Sequence, residues 1–198
     1  KLASRPFDIA RDGFVMGEGS SVLILESEES IIKRDAKPLA ELVGYAATSD
    51  AFHVTQPHPE GAGATEAMKR ALSQANLEPC DIDYINAHGT STPLNDKFET
   101  MALKKVYTDS AFDIPISSTK SMTGHLLGAG AALEAAFSVL SIQKGVIPPT
   151  INLTNQDPEC DLDFTANTSI QKNISNVMSN SLGFGGHNSS LIFKKFEE

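Results

Sequence analysis

This chain of 198 residues has no tryptophan and only two cysteines, Cys80 and Cys160. Two thiols cannot make a disulfide framework, and both sit in loop-like contexts, "EPCD" and "PECD", so they read as free thiols of a reducing compartment. No apolar run approaches the ~20 residues of a membrane span. Basic residues are in deficit, 16 Lys and Arg against 25 Asp and Glu, for a net charge of −9. That balance argues against a nucleic-acid partner, since phosphate attraction needs a broad basic surface. Pairs such as Lys69-Arg70 and Lys104-Lys105 read as solvated helix faces. The chain opens at Lys1 without a targeting pattern, so its start is expected upstream, and cytoplasm and organelle stroma or matrix both stay open.

What is present suffices for a folded domain. With 40% hydrophobic residues the chain can bury a sizeable core, and its length fits one domain over 1–198. Strands and helices alternate. "SSVLILES" (20–27) reads as a buried strand, "EESIIKRD" as a short helix and "AELVGYAATSD" as a second strand. Residues 63–76 have the spacing of an amphipathic helix, with Ala67, Ala71 and Leu72 on one side and Thr65 as its cap. Then come the strand "DIDYINA", a helix near 95–107 capped by Asn95 or Asp96 with Phe98, Met101, Ala102 and Val106 at helical spacing, and the strand "DIPISST". The Ala-rich "LLGAGAALEAAFSVLSIQKG" carries Glu134 and no other acid, and so predicts a helix buried on most sides. After a Pro/Asn-rich traverse, "NVMSNSLGFGGHNSSLIFKKF" reads as two antiparallel strands joined by a Gly-rich bend, closing a mostly parallel sheet.

Two loops stand out. "NAHGTST" puts His88 directly after one strand, and "STKSMTGHLLGAGA" puts Lys120 and His125 after the next. In a parallel sheet both loops lie at the carboxyl edge, where ligands collect, and neighbouring strands are ~4.8 Å apart. The Gly-rich bend at 183–186 is placed to close such a pocket. His125 is expected just before a helix amino terminus and near Lys120, and both features oppose protonation of its ring. Two neutral imidazoles presenting N–H to one oxygen would stabilise an enolate or oxyanion. The hydroxyls of Thr90, Ser91, Thr92, Ser118 and Thr119 would orient a polar chain. The plainer reading is that a histidine after a strand is a hydrogen-bonded loop residue and a lone lysine is solvated. Zinc lacks a third ligand at sensible spacing, so no metal is expected. "GHLLGAGA" lacks the Gly-X-Gly and acidic residue of a dinucleotide loop.

Five stretches in order, "RPFDIARDGFVMGEG", "NAHGTSTPLND", "SSTKSMTGHLLGAGAALEA", "PPTINL" and "NSLGFGGHNSSLIF", resemble the C-terminal half of a β-ketoacyl-acyl carrier protein synthase. The resemblance runs from about Arg5 to Phe193. It implies an α/β, thiolase-like fold in which each half supplies a five-stranded mixed sheet with flanking helices to an α-β-α-β-α stack. It implies the 3-oxoacyl-acyl carrier protein synthase reaction of type II fatty-acid synthesis, a decarboxylative Claisen condensation of a malonyl thioester with an acyl group held on a cysteine. Carried over residue by residue, His88 and His125 hold the malonyl thioester oxygen. Lys120 supports His125, with Glu134 in the same network. Phe184 gates the acyl and malonyl pockets and lends a backbone N–H to the second oxyanion. Gly185 lies beside it in the substrate-binding bend, and Thr90 and Thr92 contact the phosphopantetheine arm. No cofactor of its own is implied, because acyl carrier protein brings the substrates; a homodimer is the family's usual state.

The family's nucleophile has no counterpart here. Cys80 precedes a strand and Cys160 sits among acids, so condensation is expected to need an N-terminal half that these residues do not include. One face of the sheet and helix layer should then be apolar where that half packs. Leu182, where an aromatic is common, and His187, where threonine often stands, bear on pocket shape. Two other readings remain: a non-elongating homologue such as a chain-length factor or malonyl decarboxylase, and a non-catalytic structural half that contributes only a dimer surface.

Overall fold

Apolar residues on both sides of the later strands are what organise this protein into layers. The computed structural model describes residues 2–197. Its elements are α1 (Glu28–Arg34), β1 (Glu41–Ser49), α2 (Ala62–Ala75), β2 (Tyr84–Asn86), α3 (Pro93–Tyr107), β3 (Ile116–Ser117), α4 (Lys120–Thr123), α5 (Gly130–Lys144), β4 (Val146–Ile147), β5 (Ile170–Gln171), β6 (Asn176–Gly183) and β7 (His187–Lys194). Five strands form one mixed sheet in the order β1-β7-β6-β2-β3, while β4 and β5 make a small separate pair. β2 runs parallel to β3 and β6; β7 runs antiparallel to β6 and β1.

Successive side chains of a strand face opposite sides. Ile85, Met178 and Ile192 turn to one face and meet Met68, Ala71 and Leu72 of α2 and Ala102, Leu103 and Val106 of α3. Their neighbours Tyr84, Val177 and Phe193 turn to the other and meet Ala135 and Ile142 of α5. Each such large buried side chain contributes roughly 1.5–3 kcal/mol, so both helical layers hold the sheet.

Several details depart from the sequence reading. Residues 20–27 do not form a strand; they carry no regular secondary structure and, Ser21 apart, are exposed, because the described residues offer their backbone no partner strand. Gly61, not Thr65, is the N-cap of α2, and Thr65 donates its amide to the Gly61 carbonyl. Thr92 caps α3, accepting from the Asn95 amide, with Pro93 in the first turn where a missing N–H costs nothing. The buried stripe of α3 contains Asp96, Glu99, Leu103 and Val106, a rotation from the expected one, and Phe98 and Met101 are half-buried. β2 and β3 are shorter than expected; for β2 the turn Pro79–Asp81 takes up the start of the expected strand. The Ala-rich helix starts only at Gly130, after the 3₁₀ turn Leu127–Ala129, and buries one strip; Leu140 is exposed.

Exposed apolar residues include Leu2, Ile9, Met16, Val22, Ile24 and Leu25, all of which lie before β1. Both cysteines are free thiols. Among the described residues, no helix is long and apolar enough to cross a membrane.

Candidate active site

His88 lies two residues past β2, and Lys120 opens α4 three residues past β3, on adjacent parallel strands. That register carries their loops to the same edge of the sheet. The rings of His88 and His125 stand 5.3 Å apart between centroids, at 85° to one another. The two rings meet edge to face.

His88 is fixed through its backbone. Its N–H donates to Glu99 Oε1 (2.7 Å) and the Gly89 N–H donates to Glu99 Oε2 (2.8 Å), so one buried carboxylate grips the turn. The His88 carbonyl accepts from Lys120 Nζ at 2.6 Å, and the same ammonium donates to Glu134 Oε1. Lys120 is 2% exposed, which overturns the solvated reading of this lysine. Its direct hydrogen bond goes to His88 and not to His125. Among the described residues His88 Nδ1 is buried without a hydrogen-bond partner.

His125 is held by an upstream stretch of chain. Its N–H donates to the Val15 carbonyl (2.7 Å) and its carbonyl accepts from the Gly17 N–H (3.1 Å), a parallel bridge opposite Met16. The Phe14 ring stands edge-on at 5.5 Å. Gly17 is required for closeness: a Cβ there would collide with the Thr123 carbonyl oxygen. The Leu127 N–H donates to His125 Nδ1 (3.2 Å). An amide can only donate, so Nδ1 is the acceptor and the proton of the neutral ring is on Nε2.

Charge in the site follows burial. Burial holds the His88 ring well below its ordinary value, with Lys120 and His125 adding to the effect. Burial, then Lys120, brings His125 down to about 4. Both rings are neutral at pH 7 and have N–H to give. Burial pushes Glu99 up to about 7 against the pull of its two amides, and raises Glu134 against the pull of Lys120.

The threonines and the Gly-rich bend are held by contacts of their own. Thr90 and Thr92 share a hydroxyl hydrogen bond of 3.0 Å. Arg11 fixes the end of their loop, donating to the carbonyls of Thr92 (3.1 Å) and Pro93 (3.1 Å) and to Asp157 (2.6 Å). Asp96 takes the amides of Phe7 and Ser91. Phe184 is 63% exposed at the β6–β7 bend. Gly185 has φ +82°, a left-handed conformation that suits glycine, and donates to the Val54 carbonyl (2.6 Å), while the Asp50 N–H donates to the Gly186 carbonyl (2.8 Å). These hydrogen bonds tie the bend to residues 50–54, whereas His88, His125, Lys120 and Glu134 form one connected cluster.

Glu99, Asp96, Arg11 and Phe14 escaped the sequence reading. The acids had one readable signal: at i and i+3 they share the α3 stripe with Leu103 and Val106, a position where solvated carboxylates do not belong. No group of three or more His, Cys, Asp or Glu among the described residues is arranged to hold a metal ion. Cys160 is buried and its thiol is pushed up to about 11 by that burial, which leaves it a poor nucleophile.

The family model for "Beta-ketoacyl synthase, C-terminal domain" matches residues 39–154. The 3-oxoacyl-[acyl-carrier-protein] synthase 2 of Synechocystis is 55% identical over 195 residues, 98% of this chain and 47% of that protein. The chain thus spans about half the length of the curated relatives it matches. A solved ketosynthase, bound to a hexaketide and in complex with a type II polyketide acyl-carrier protein, superposes with a TM-score of 0.96 at 42% identity, over 99% of this chain and 48% of that one. The ishigamide ketosynthase/chain length factor gives 0.94 at 41%, over 98% and 47%. Sequence, fold and the paired histidine loops agree: the chain belongs to the β-ketoacyl synthase family and carries its C-terminal domain.

Proposed function

We propose that this chain supplies the two-histidine side of a 3-oxoacyl-acyl carrier protein synthase of type II fatty-acid synthesis. Malonyl on the phosphopantetheine of an acyl carrier protein enters with its thioester oxygen between His88 and His125. The bond from the α-carbon to the carboxylate breaks and CO2 leaves. Its electron pair passes into an enolate whose oxygen takes hydrogen bonds from the two neutral rings. The enolate carbon then attacks an acyl thioester on a cysteine of the other half, and that thiolate departs. Lys120 and Glu134 keep the His88 loop in place. Phe184 and Gly185 border the acyl side, Thr90 and Thr92 orient the pantetheine arm, and two such proteins pair as a homodimer.

The observation that carries this reading is the 5.3 Å approach of two uncharged rings, one with its proton placed on Nε2. A preorganised donor of this kind contributes roughly 10²–10³ in rate. The alternative of a non-elongating chain-length factor draws on one of the matched structures; the intact His88, His125 and Lys120 cluster favours the catalytic one.

The test joins this chain to the N-terminal half of the Synechocystis relative. Malonyl decarboxylation and condensation are then measured for the joined protein and for His88→Ala and His125→Ala. Losses of about 10²-fold or more for each are expected. Unchanged decarboxylation in His88→Ala would leave the non-catalytic reading standing instead.

A further inference from the structure

Ser91, between the two threonines of the site, has a φ of +70°, in the left-handed region that side chains rarely adopt. A residue persists there only where its surroundings over-determine it. They do so here. The Ser91 N–H donates to Asp96 Oδ1 (3.2 Å), its carbonyl accepts from the Gly13 N–H (3.0 Å), and its hydroxyl oxygen accepts from the Arg5 N–H (2.9 Å). The turn brings the hydroxyls of Thr90 and Thr92 within 3.0 Å of one another. One donates to the other, so one O–H of the pair is left for an acceptor outside the protein, such as an amide carbonyl.

Arg11 holds the far side of this turn. Its Nε donates to the Thr92 carbonyl (3.1 Å) and one terminal nitrogen to the Pro93 carbonyl (3.1 Å). The other terminal nitrogen donates to the Asp8 carbonyl (2.9 Å) and to Asp157 Oδ2 (2.6 Å). The side chain is 4% exposed, so the guanidinium is a fixed fork inside the protein and not a surface cation. Asp157 balances its charge, as does Asp96, whose Oδ2 lies 3.5 Å from Nε and whose Oδ1 takes the Ser91 N–H.

We infer that Arg11 is a positioning residue for the pantetheine arm. Its planar fork sets the Ser91–Pro93 turn so that the Thr90 and Thr92 hydroxyl pair meets an amide of the arm. The inference rests on the function proposed above, and adds a residue that governs how well the site tells an amide-bearing thioester from a bare one. A lysine at this place keeps a charge beside Asp157, but its single nitrogen cannot reproduce the fork that spans the carbonyls of Thr92 and Pro93.

The test compares two probes in the joined protein: malonyl-pantetheine, and the malonyl thioester of ethanethiol, which has the same reacting group and no amide. Decarboxylation of each is followed in the parent and in Arg11→Lys. The ratio of kcat/KM for the first probe to that for the second should fall about 10-fold, the size of one hydrogen bond lost. Equal losses on both probes, or none, overturn the inference, because a residue that only stabilises the fold does not discriminate between them. Ser91→Gly leaves Arg11 intact and frees the turn, and it decides the matter if Arg11→Lys does not fold. The ratio should fall there too, and an unchanged ratio overturns the inference. Amide hydrogen exchange reads the same turn without turnover. In Arg11→Lys the amides of Gly13 and Ser91 should exchange at least ~10-fold faster while those of β6 and β7 stay slow. Unchanged exchange at Gly13 and Ser91, or acceleration shared by β6 and β7, counts against the inference. A joined protein that turns over neither probe sinks the condensation proposal, and the exchange pattern then decides the role of Arg11.

Discussion

The ammonium of Lys120 lies 2.6 Å from the carbonyl oxygen of His88 while also paired with the Glu134 carboxylate. A cation buried this deeply is tolerated only because both partners are present. It joins the end of β3 to the loop after β2 and so fixes the distance between the loops that carry His88 and Lys120.

Replacing Lys120 by Met strands the Glu134 carboxylate in a buried site. Loss of one partner of such a pair costs about 3 kcal/mol, at the low end of its range because protonation of Glu134 relieves part of it. Lys120→Met with Glu134→Leu should recover much of that loss. Denaturant unfolding of the joined protein, its two single variants and the double variant measures the coupling. Strictly additive losses would show that the pair does not act as a unit.

Glu99 predicts a pH dependence of unusual sign. Its carboxyl is raised to about 7 in the folded protein, above the ~4.3 of an unfolded glutamate. Its contribution is complete below about pH 4.3 and is lost as pH rises through about 7, by on the order of 3 kcal/mol. Glu99→Gln removes this slope but presents an amide NH2 to one of two backbone donors, which costs about 1–3 kcal/mol. Unfolding measured from pH 4.5 to 8 should show the variant gaining on the parent across that interval. A constant difference would contradict the assignment.

His125 carries the opposite sign. Its ring is lowered to about 4, so the stability it contributes is present above ~6.5 and is lost as pH falls through about 4. Malonyl decarboxylation by the joined protein should therefore change little through His125 between pH 7 and 5, then fall toward 4. Ring carbon NMR of His125 gives the same curve independently. A midpoint near 6.5 in either would mean that the ring is open to water.

Gly17→Ala forces a methyl group against the Thr123 carbonyl. The bridge that positions His125 must then shift, and a displacement of about 1 Å at a reacting group costs roughly 10²-fold in rate. Decarboxylation should fall by that order while far-UV circular dichroism stays unchanged. A fully active variant would show that the bridge does not position the ring.

Periodicity and turn chemistry made much of the fold readable. The hairpin of β6 and β7 follows from alternation interrupted by glycines, and α2 from its 3.6-residue spacing. His88 and Lys120 were readable because each follows a strand and parallel order brings strand ends together, and His125 because it lies only five residues beyond Lys120. What stayed hidden depends on distant partners. Arg11 acquires its role from Asp157, 146 residues away, and Glu99 from the amides of a loop that folds back over α3. The stretch at 20–27 has strand composition, but a strand exists only where another strand accepts its hydrogen bonds. Caps were misplaced for a related reason: Thr92 outranks Asn95 because Pro93 sets the first turn.

The bridge at His125 is made by carbonyl and amide groups of Val15 and Gly17, with Met16 turned outward. Main-chain groups are common to all residues, so the identities at 15 and 16 are free to drift or to be redesigned without disturbing the imidazole they secure. Mutational freedom can therefore lie right beside a tightly held histidine, with the constraint concentrated in two glycines, Gly17 and Gly124.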